Sequence, residues 1–213
     1  MIEDKKTGQS ALSTEEQIKE AAKRVFTRKG YAATRTRDIA EEAGHNLALL
    51  NYYFRSKEKL FDIIMLENLQ LFISDVMGLI NDTNTTLQQK VELLAGHYID
   101  MLIENPGLPA FILHAVNTGP EELVAKVTKA HNLQDTCIAR QWAEMAATLT
   151  FNLNPIHLLM NFVGLTIFPF AASPIIKNKI GISDEQFNQL MRERKKLIPV
   201  WMKAMLVNNT GAA

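Results

Sequence analysis

The chain has 213 residues, of which 47% are hydrophobic, and its formal net charge is zero. This length allows one large domain, or a small domain joined to a larger one, around a buried core. A single cysteine, Cys137, excludes an internal disulfide framework, and no basic-then-apolar leader opens the sequence, so we expect a cytoplasmic location.

Charge is distributed unevenly along the chain. Residues 1–60 contain 12 Lys and Arg against 9 Asp and Glu, a net charge of +3, whereas residues 61–213 contain 11 against 14, a net charge of −3. A basic N-terminal part is modest evidence for a module that faces phosphate, because a polyanion is attracted by local patches rather than by the whole-chain charge. Charged helix faces that are merely solvated give the same asymmetry.

Helices are predicted along nearly the whole chain, because strand-like alternation is missing and Gly and Pro fall between long periodic segments. The first helix is predicted in residues 14–30, where apolar residues recur at helical spacing and Gly30 ends the run in a left-handed cap. Its inward-facing residues are Ile18, Ala21, Ala22, Val25 and Phe26.

The next two predicted helices are short. TRDIAEEAG forms the second, with Thr34 or Thr36 as its N-cap, Gly44 at its end, and an inward face of Ile39, Ala40 and Ala43. The third begins after the dipeptide HN, has Asn46 as its N-cap and runs to about Phe54. Two short helices joined by a Gly-containing turn of about three residues form a helix-turn-helix arrangement.

The third helix is predicted to place Leu50 and Phe54 against the core and its opposite side in the DNA major groove. There, aliphatic side chains contact thymine methyl groups, an amide reads an adenine edge or holds a phosphate, and tyrosine hydroxyls donate to phosphates. These side chains are, in turn, Leu47, Ala48 and Leu49; Asn51; and Tyr52 and Tyr53. The alternative is that these aromatic side chains simply pack in the core. We expect this for Phe54, and for Tyr53 in addition to its phosphate contact.

Cations flank this helix. Arg37, with Arg35 beside it, is the best candidate for a guanine contact. Ser56 is predicted to cap a fourth helix, which puts Lys57 at a helix N-terminus, a good position for a phosphate clamp.

The segment from Thr14 to Leu66 resembles the DNA-binding domain of the tetracycline-repressor (TetR) family. AAKRVFTRKGYAATRTRDIAEEAG, followed by LLNYYFRSKEKLF, contains the motifs G-(F/Y)-x-x-T, D-I-A, A-G and Y-F-x-S-K-E in order. The resemblance implies a three-helix DNA reader, a linking fourth helix and a larger helical domain that binds a small ligand and dimerises. By position it implies base contacts from Arg37, Leu47, Ala48, Leu49 and Asn51, and phosphate contacts from Thr36, Tyr52, Tyr53 and Lys57.

Two positions depart from the family pattern. His45 follows Gly44 where family members usually have a small apolar residue, and we interpret it as packing over the turn, with pH sensing as the alternative. Asn51 replaces a frequent tyrosine, which removes one phosphate hydroxyl and adds a base-reading amide. The sequence preference of the family is therefore not transferable.

The rest of the chain is predicted to form five or six longer helices. Two capping boxes, Thr86 with Gln89 and Ser183 with Gln186, open two of them. The predicted bounds are Ser56 to about Ile80, Thr86 to about Glu104, Ala110 to about Asn117, TGPEEL to near Thr148, NLNP to about Phe168, where Pro169 and Pro174 kink or close the helix, and Ser183 to about Val207.

Residues 156–172 form the most apolar run. A membrane span is disfavoured because His157, Asn161 and Pro169 interrupt the run, which is shorter than the ~20 clean residues a bilayer requires. This helix and the last one, which carries Leu190, Leu197, Trp201, Met202 and Met205, are predicted to form half of a four-helix homodimer interface, as in family members; a purely intramolecular core is the alternative.

The candidate effector site consists of residues with polar tips or soft surfaces on the middle helices, each of which could instead be simple core. They are Tyr98, Met101, Phe111, His114, Trp142, Met145 and Phe162. Such a pocket suits a largely apolar effector. The five histidines are scattered, no metal motif or glycine-rich phosphate loop occurs, and Cys137 is interpreted as a buried hydrophobe rather than a redox sensor, so neither an enzyme nor a cofactor is expected.

Together these observations predict an all-α protein with a DNA-binding domain in residues 1–60, including a short disordered N-terminus, and a ligand-binding and dimerisation domain in residues 61–213. Its expected function is that of a homodimeric repressor released from a palindromic operator by a small effector. The alternatives are an activator, or a DNA-binding architectural protein without small-molecule control.

Overall fold

The computed structural model describes residues 12–118, 121, 133–148 and 154–206. Within these ranges the chain forms ten α-helices and no strand, which confirms the predicted all-α class. The helices are α1 (Thr14–Lys29), α2 (Thr36–Ala43), α3 (Leu47–Phe54), α4 (Lys57–Asn81), α5 (Leu87–Glu104), α6 (Leu108–Thr118), α7 (Cys137–Ala146), α8 (Pro155–Ala171), α9 (Ser173–Ile180) and α10 (Asp184–Ala204).

The chain divides into two compact units between Met65 and Leu66. The predicted boundary at residue 60 falls within α4, which begins in the first unit and continues into the second. The predicted disordered N-terminus falls in residues 1–11, outside the described residues.

α1 forms at the predicted position. Ser13 Oγ accepts the Glu16 N–H at 3.2 Å and the Glu16 carboxylate accepts the Ser13 N–H at 2.9 Å, so a capping box satisfies two backbone donors. All five predicted inward-facing residues are buried. Gly30 ends the helix with a φ of 75°, but its ψ of 160° lies outside the left-handed helical region, so the predicted left-handed cap is wrong.

α2 begins without the threonine cap that the sequence predicts. Thr34 is buried and its hydroxyl donates to the Gly30 carbonyl at 2.7 Å, which ties it to the end of α1 instead. At the start of α2 the Asp38 carboxylate accepts the Arg35 N–H at 2.9 Å, which satisfies this backbone donor. Gly44, at φ 72° and ψ 22°, ends α2 in the left-handed conformation.

α3 has the predicted cap and the predicted inward face. Asn46 Oδ1 accepts the Leu49 N–H at 2.8 Å, and Leu50 and Phe54 are buried. Ser56 then caps α4, because its Oγ accepts the Lys59 N–H at 3.1 Å.

The second unit differs from the prediction in the middle of the chain. The capping box of Thr86 and Gln89 opens α5 as predicted. The single long helix expected to end near Thr148 is wrong, because Thr136 has extended backbone (φ −76°, ψ 156°) and its hydroxyl accepts the Ala139 N–H to start α7. Most of the upstream part of that expected helix lies outside the described residues.

α8 continues through Pro169 to Ala171, beyond the predicted end at Phe168. A proline inside a helix removes one backbone N–H, and here the carbonyl that loses its donor is that of Leu165, four residues earlier. Arg194 Nη2 on α10 donates to this carbonyl at 2.8 Å. The helix survives its proline because a side chain from a neighbouring helix replaces the lost hydrogen bond.

The chain then turns into α9, which the sequence does not predict, at a bend of 62° from α8. The predicted capping box of Ser183 and Gln186 opens α10, which ends at Ala204, while the predicted end at Val207 lies outside the described residues. α10 packs against α5 and α8 and forms the centre of the second unit.

By length and composition alone, α4 and the bent α8–α9 pair are apolar enough to cross a membrane. In α4, however, charged residues recur at Asp62, Glu67 and Asp75, and the buried residues form a one-sided stripe of Leu60, Ile64, Met65, Leu69, Phe72, Val76 and Ile80. This is the pattern of an amphipathic helix that packs against a protein core.

Candidate nucleic-acid interface

α3 presents a polar and aromatic face to solvent. Ala48 and Asn51 are exposed, Leu47 and Leu49 are half-buried, and Tyr52 and Tyr53 are 78% and 40% exposed. The two tyrosine rings meet edge to face, with centroids 5.3 Å apart. Their hydroxyl groups are therefore carried on two rings that contact each other.

The start of α2 supplies the predicted cationic side chains. Arg35 and Arg37 are exposed, and Thr36 between them is half-buried. The nearby Asp38 carboxylate is held by the Arg35 N–H and by Lys29 Nζ at 3.2 Å, which together lower its pKa. Asp38 is thus stabilised as an anion by its cap and by a cation of α1.

Cations on α1 are neutralised by carboxylates. Arg24 Nε and Arg28 Nη2 each lie 2.9 Å from an oxygen of Glu42 on α2, and Lys23 lies 2.8 Å from Glu20. Hydrogen bonds from Arg28 and then Arg24 lower the pKa of Glu42. These pairs tie α1 to α2, and they leave little free positive charge on α1.

Cations near α3 are not neutralised in this way. Arg37, Arg55 and Lys59 are exposed, and none of their side chains forms an ion pair within residues 12–118, 121, 133–148 and 154–206. In sequence they stand at the start of α2 and at the junction between α3 and α4, on either side of the α3 helix. Three cations without an ion pair among the described residues therefore flank the predicted DNA-reading helix in sequence.

Lys57 is engaged within the chain. Its Nζ donates to the carbonyls of Tyr31 and Thr34, each at 2.9 Å, and lies 4.3 Å from the centre of the Tyr31 ring. Two of the three ammonium donors are thus used to hold the turn between α1 and α2 against the start of α4. A phosphate contact from Lys57 would have to compete with these two carbonyls.

The same turn is fixed by an aromatic cluster. The Tyr31 ring lies 4.5 Å from Phe61 and 5.9 Å from Phe26, and Phe26 meets Phe61 edge to face at 5.2 Å, all between ring centroids. Burial, followed by the charges of Glu58 and Asp62, raises the pKa of the Tyr31 hydroxyl. Three rings and one ammonium therefore join α1, its following turn and α4.

His45 does more than pack over its turn. Its Nε2 lies 2.9 Å from Gln17 Oε1, and Gln17 Nε2 donates to the Leu12 carbonyl at 2.8 Å, which orients the amide so that the imidazole is the donor. The His45 N–H also donates to the Ala40 carbonyl at 2.9 Å and closes the end of α2. The side chain thus links the helix-turn-helix turn to α1, a contact between residues 28 apart that sequence reasoning missed.

In the second unit, the structure brings two of the predicted effector residues together. Tyr98 lies edge to face between Phe72 at 4.6 Å and Phe162 at 5.5 Å, and burial raises the pKa of its hydroxyl. Of the remaining predicted residues, His114 is exposed. The other four are half-buried, and they are Met101, Phe111, Trp142 and Met145. Trp142 Nε1 is buried and has no hydrogen-bond partner among the described residues.

α8 and α10 expose a large apolar surface. Exposed side chains include Phe168 at 67%, Met160 at 64% and Val200 at 61%, with Ile156, Leu159, Leu190 and Leu197 also exposed. Two residues predicted to lie on this face are less exposed than the others. Met202 is buried within its own chain. Trp201 is half-buried under Arg194, whose guanidinium carbon lies 4.9 Å from the ring centre.

The described side chains do not form a metal centre. In residues 12–118, 121, 133–148 and 154–206, no group of three or more His, Cys, Asp and Glu is arranged to hold a metal ion. Cys137 is buried there as a free thiol.

The N-terminal part of the chain matches a family model described as "Bacterial regulatory proteins, tetR family", over residues 18–64. The probable HTH-type transcriptional regulator YttP of Bacillus subtilis (strain 168) is 38% identical over 56 residues, which are 26% of this chain. The match spans only 27% of the length of that relative.

Several solved structures share the fold of most of the chain. A regulator of the TetR/AcrR family from Thermobifida fusca YX-ER1 superposes with a TM-score of 0.60 at 19% identity, over 87% of this chain and 96% of that one. PfmR from Thermus thermophilus gives 0.58 at 17% identity, over 86% and 97%. FadR from Bacillus subtilis, in complex with stearoyl-CoA, gives 0.52 at 18% identity, over 86% and 96%.

Proposed function

This chain belongs to the TetR family of bacterial regulatory proteins, and we propose that it is a homodimeric transcriptional repressor that a small-molecule effector releases from a palindromic operator. The observation that carries the proposal is the surface around α3. An exposed helix face of Ala48, Asn51, Tyr52 and Tyr53 is flanked by cations that have no carboxylate partner in the part of the chain that the structure describes.

Sequence reading is proposed for α3 and the start of α2. Arg37 takes a guanine, Asn51 takes an adenine edge or a phosphate, and Leu47, Ala48 and Leu49 contact thymine methyl groups. Arg35, Thr36, Tyr52 and Tyr53 bind phosphates and set the register of the helix on the duplex. Lys57 is left out of this set, because its ammonium already holds the Tyr31 and Thr34 carbonyls.

Dimerisation is proposed through α8 and α10. Their exposed apolar side chains, led by Phe168, Met160 and Val200, would be costly to leave in water. One recognition helix reads too few base pairs for useful specificity, whereas a two-fold dimer reads half-sites about one helical turn, ~34 Å, apart. A second copy of the chain therefore fits both the surface and the task.

The effector is proposed to be largely apolar and to bind in the second unit. The aromatic contacts of Tyr98 with Phe72 and Phe162 support this class of molecule. Met101, Phe111, His114, Trp142 and Met145 complete the proposed lining. Since FadR of Bacillus subtilis has the same fold and was crystallised with stearoyl-CoA, a long-chain acyl-CoA is a reasonable first probe.

The proposal places the protein in the cytoplasm, without a cofactor and without enzymatic activity. It also requires that the effector bind the DNA-free state more tightly than the DNA-bound state, since only a difference in affinity can shift the equilibrium. An architectural DNA-binding protein would bind DNA without such release.

The test is selection of bound sequences from a random DNA pool with the purified protein and with Arg37→Ala. We expect a palindrome from the natural protein. The variant should lose ~1–3 kcal/mol of specific binding and relax the base preference at one position of each half-site, with little change on random DNA. Arg24→Ala, which removes an exposed arginine paired to Glu42, is the matched control and should keep the palindrome. An equal loss on random DNA would contradict base reading by Arg37, and no enriched sequence would contradict the proposed function.

A further inference from the structure

The junction between α3 and α4 has an unusual backbone. Arg55 has a φ of 62° and a ψ of −41°, and it is the non-glycine residue with positive φ within the described part of the chain. The Ser56 N–H donates to the Phe54 carbonyl at 2.7 Å, which closes a three-residue γ-turn around Arg55. A γ-turn with positive φ is rare and strained for a residue that has a Cβ.

Contacts on both sides hold Arg55 in this conformation. Its own N–H donates to the Asn51 carbonyl at 3.0 Å, and the Leu60 N–H donates to the Ser56 carbonyl at 3.1 Å. Phe54 before the turn and Leu60 after it are buried. The two helices are therefore anchored independently, and the single residue between them absorbs the change of direction. Glycine would do so at a lower conformational cost, since it has no Cβ.

The side chain at this position is a free cation. Arg55 is exposed, and its guanidinium forms no ion pair or hydrogen bond with the residues that the structure describes. Lys57, two residues later, uses its ammonium on the Tyr31 and Thr34 carbonyls. Of these two cations at the junction, Arg55 is thus the one available to an external anion.

We propose that Arg55 binds a DNA backbone phosphate at the end of α3, and that Lys57 holds the turn between α1 and α2. A guanidinium presents a planar fork of N–H donors that matches two phosphate oxygens, and weak hydration makes it suited to this contact. A phosphate held immediately after α3 positions that helix on the duplex without reading its sequence. This inference rests on the proposed DNA-binding function.

The experiment uses three variants of the full chain. Arg55→Gly removes the charge and the strain together, so the melting temperature should rise by about 2–4 °C while DNA binding weakens. Arg55→Gln removes the charge but keeps a side chain on the strained backbone, and it keeps the test valid if the glycine variant folds poorly. Arg55→Lys keeps the charge but not the planar fork.

Binding is measured by fluorescence anisotropy as a function of salt, on a duplex of about 30 base pairs of random sequence and on the selected palindrome. Each phosphate contact that Arg55→Gly or Arg55→Gln removes should weaken binding roughly five- to tenfold near 0.1 M salt, on both duplexes. The slope of log affinity against log salt should fall by about 0.9 per contact, or about 1.8 for a dimer. Arg55→Lys should retain the slope.

Two comparison variants isolate the effect. Arg24→Ala, which removes an exposed arginine paired with Glu42 on α2, should leave the salt slope unchanged. Lys57→Met should lower the melting temperature, because the carbonyls of Tyr31 and Thr34 lose their donor, and should also leave the slope unchanged.

The outcomes separate the two proposals. If Arg55→Gly and Arg55→Gln bind both duplexes with the natural slope, Arg55 does not contact phosphate and the inference is overturned. If Lys57→Met lowers the slope instead, Lys57 makes the phosphate contact, and the inference about Arg55 is again overturned. If the natural protein shows no salt-dependent binding to either duplex, the proposed function itself has failed.

Discussion

At the turn between α2 and α3, His45 is held from two directions. Its ring donates to Gln17 on α1 and its backbone N–H donates to Ala40 on α2. The imidazole can donate through Nε2 in its neutral and its charged form, so the contact does not require a change of charge. Packing combined with this hydrogen bond accounts for a histidine at a position where a small apolar residue is expected.

We expect His45→Ala to lower the free energy of unfolding by about 1 kcal/mol, because Gln17 loses a partner and the ring loses its packing. Urea unfolding followed by far-UV circular dichroism measures this loss. Gln17→Ala should give a similar value, and the double variant should lose little more than either single one. Fully additive losses would mean that the two side chains act separately.

Glu42 gives a prediction about acid stability. Arg28 and Arg24 lower the pKa of Glu42 below the usual value of 4.5, so the folded state binds the proton less readily than the unfolded state. Its stabilising contribution is present above about pH 4.5 and is lost as the pH falls through the lowered pKa. Glu42→Gln should therefore lose less stability than the natural protein as the pH of the melts is lowered. Glu20→Gln, which removes an i,i+3 pair with Lys23 on the same helix, is the control and should change the acid profile less. Identical acid profiles for Glu42→Gln and the natural protein would contradict this role.

At the scale of single helices, α8 and α10 are joined by a side-chain hydrogen bond that replaces a backbone hydrogen bond of α8. Pro169 removes the donor for the Leu165 carbonyl, and Arg194 supplies another. The guanidinium also stacks on Trp201, and its Nε is buried with no hydrogen-bond partner in the part of the chain that the structure describes. One side chain thus stabilises the interior of α8 and fixes the register of α10 against it.

A double-mutant cycle tests this arrangement. Arg194→Met alone should cost about 1–3 kcal/mol, because a part-buried carbonyl is left unsatisfied. In a Pro169→Ala background the new backbone N–H can serve that carbonyl, so the same Arg194 change should cost about 1 kcal/mol less. Lys195→Met, which breaks the neighbouring pair with Asp100, is the matched control and should cost the same in both backgrounds. Equal costs for Arg194→Met with and without the proline would contradict the substitution.

At the scale of the whole molecule, the proposed homodimer depends on the apolar face of α8 and α10. Val200 is 61% exposed on α10, and a charge placed there would be buried in a dimer. We expect Val200→Asp to convert the particle from two chains to one in analytical ultracentrifugation. Binding to a palindrome should weaken by more than about tenfold, since the two readers are no longer joined.

Leu71→Asp is the control for this change. Leu71 is 67% exposed on α4, outside the proposed interface, so the same charge there should leave two chains together. If both variants remain dimeric, α8 and α10 do not form the interface. If the natural protein is a monomer that still selects a palindrome, the proposed assembly is wrong.

Much of the fold could be predicted because its signals are local. The caps at Asn46, Thr86 and Ser183 and the inward face of α1 follow from residues three or four positions apart, and the structure confirms them. The errors arose where one signal had a competitor that the sequence does not rank, either nearby or in a distant segment. Thr34 is a plausible cap for α2 by sequence, but its hydroxyl is used by the Gly30 carbonyl. Pro169 and Pro174 are expected to kink or close their helix near Phe168; with Arg194 serving the Leu165 carbonyl, the helix continues through Pro169 to Ala171, and it closes at the 62° bend that precedes Pro174.

The sequence by itself determined the all-α class, the helix-turn-helix segment and the resemblance to TetR regulators, because spacing and caps act over a few residues. Only the tertiary structure decided which side chains of that segment are free. It committed Lys57 to carbonyls 26 and 23 residues away, tied His45 to Gln17 across 28 residues, and left Arg55 exposed on a strained turn. The physical reason is that a side chain's charge and type are written in the sequence, whereas its partner is set by the packing of distant segments.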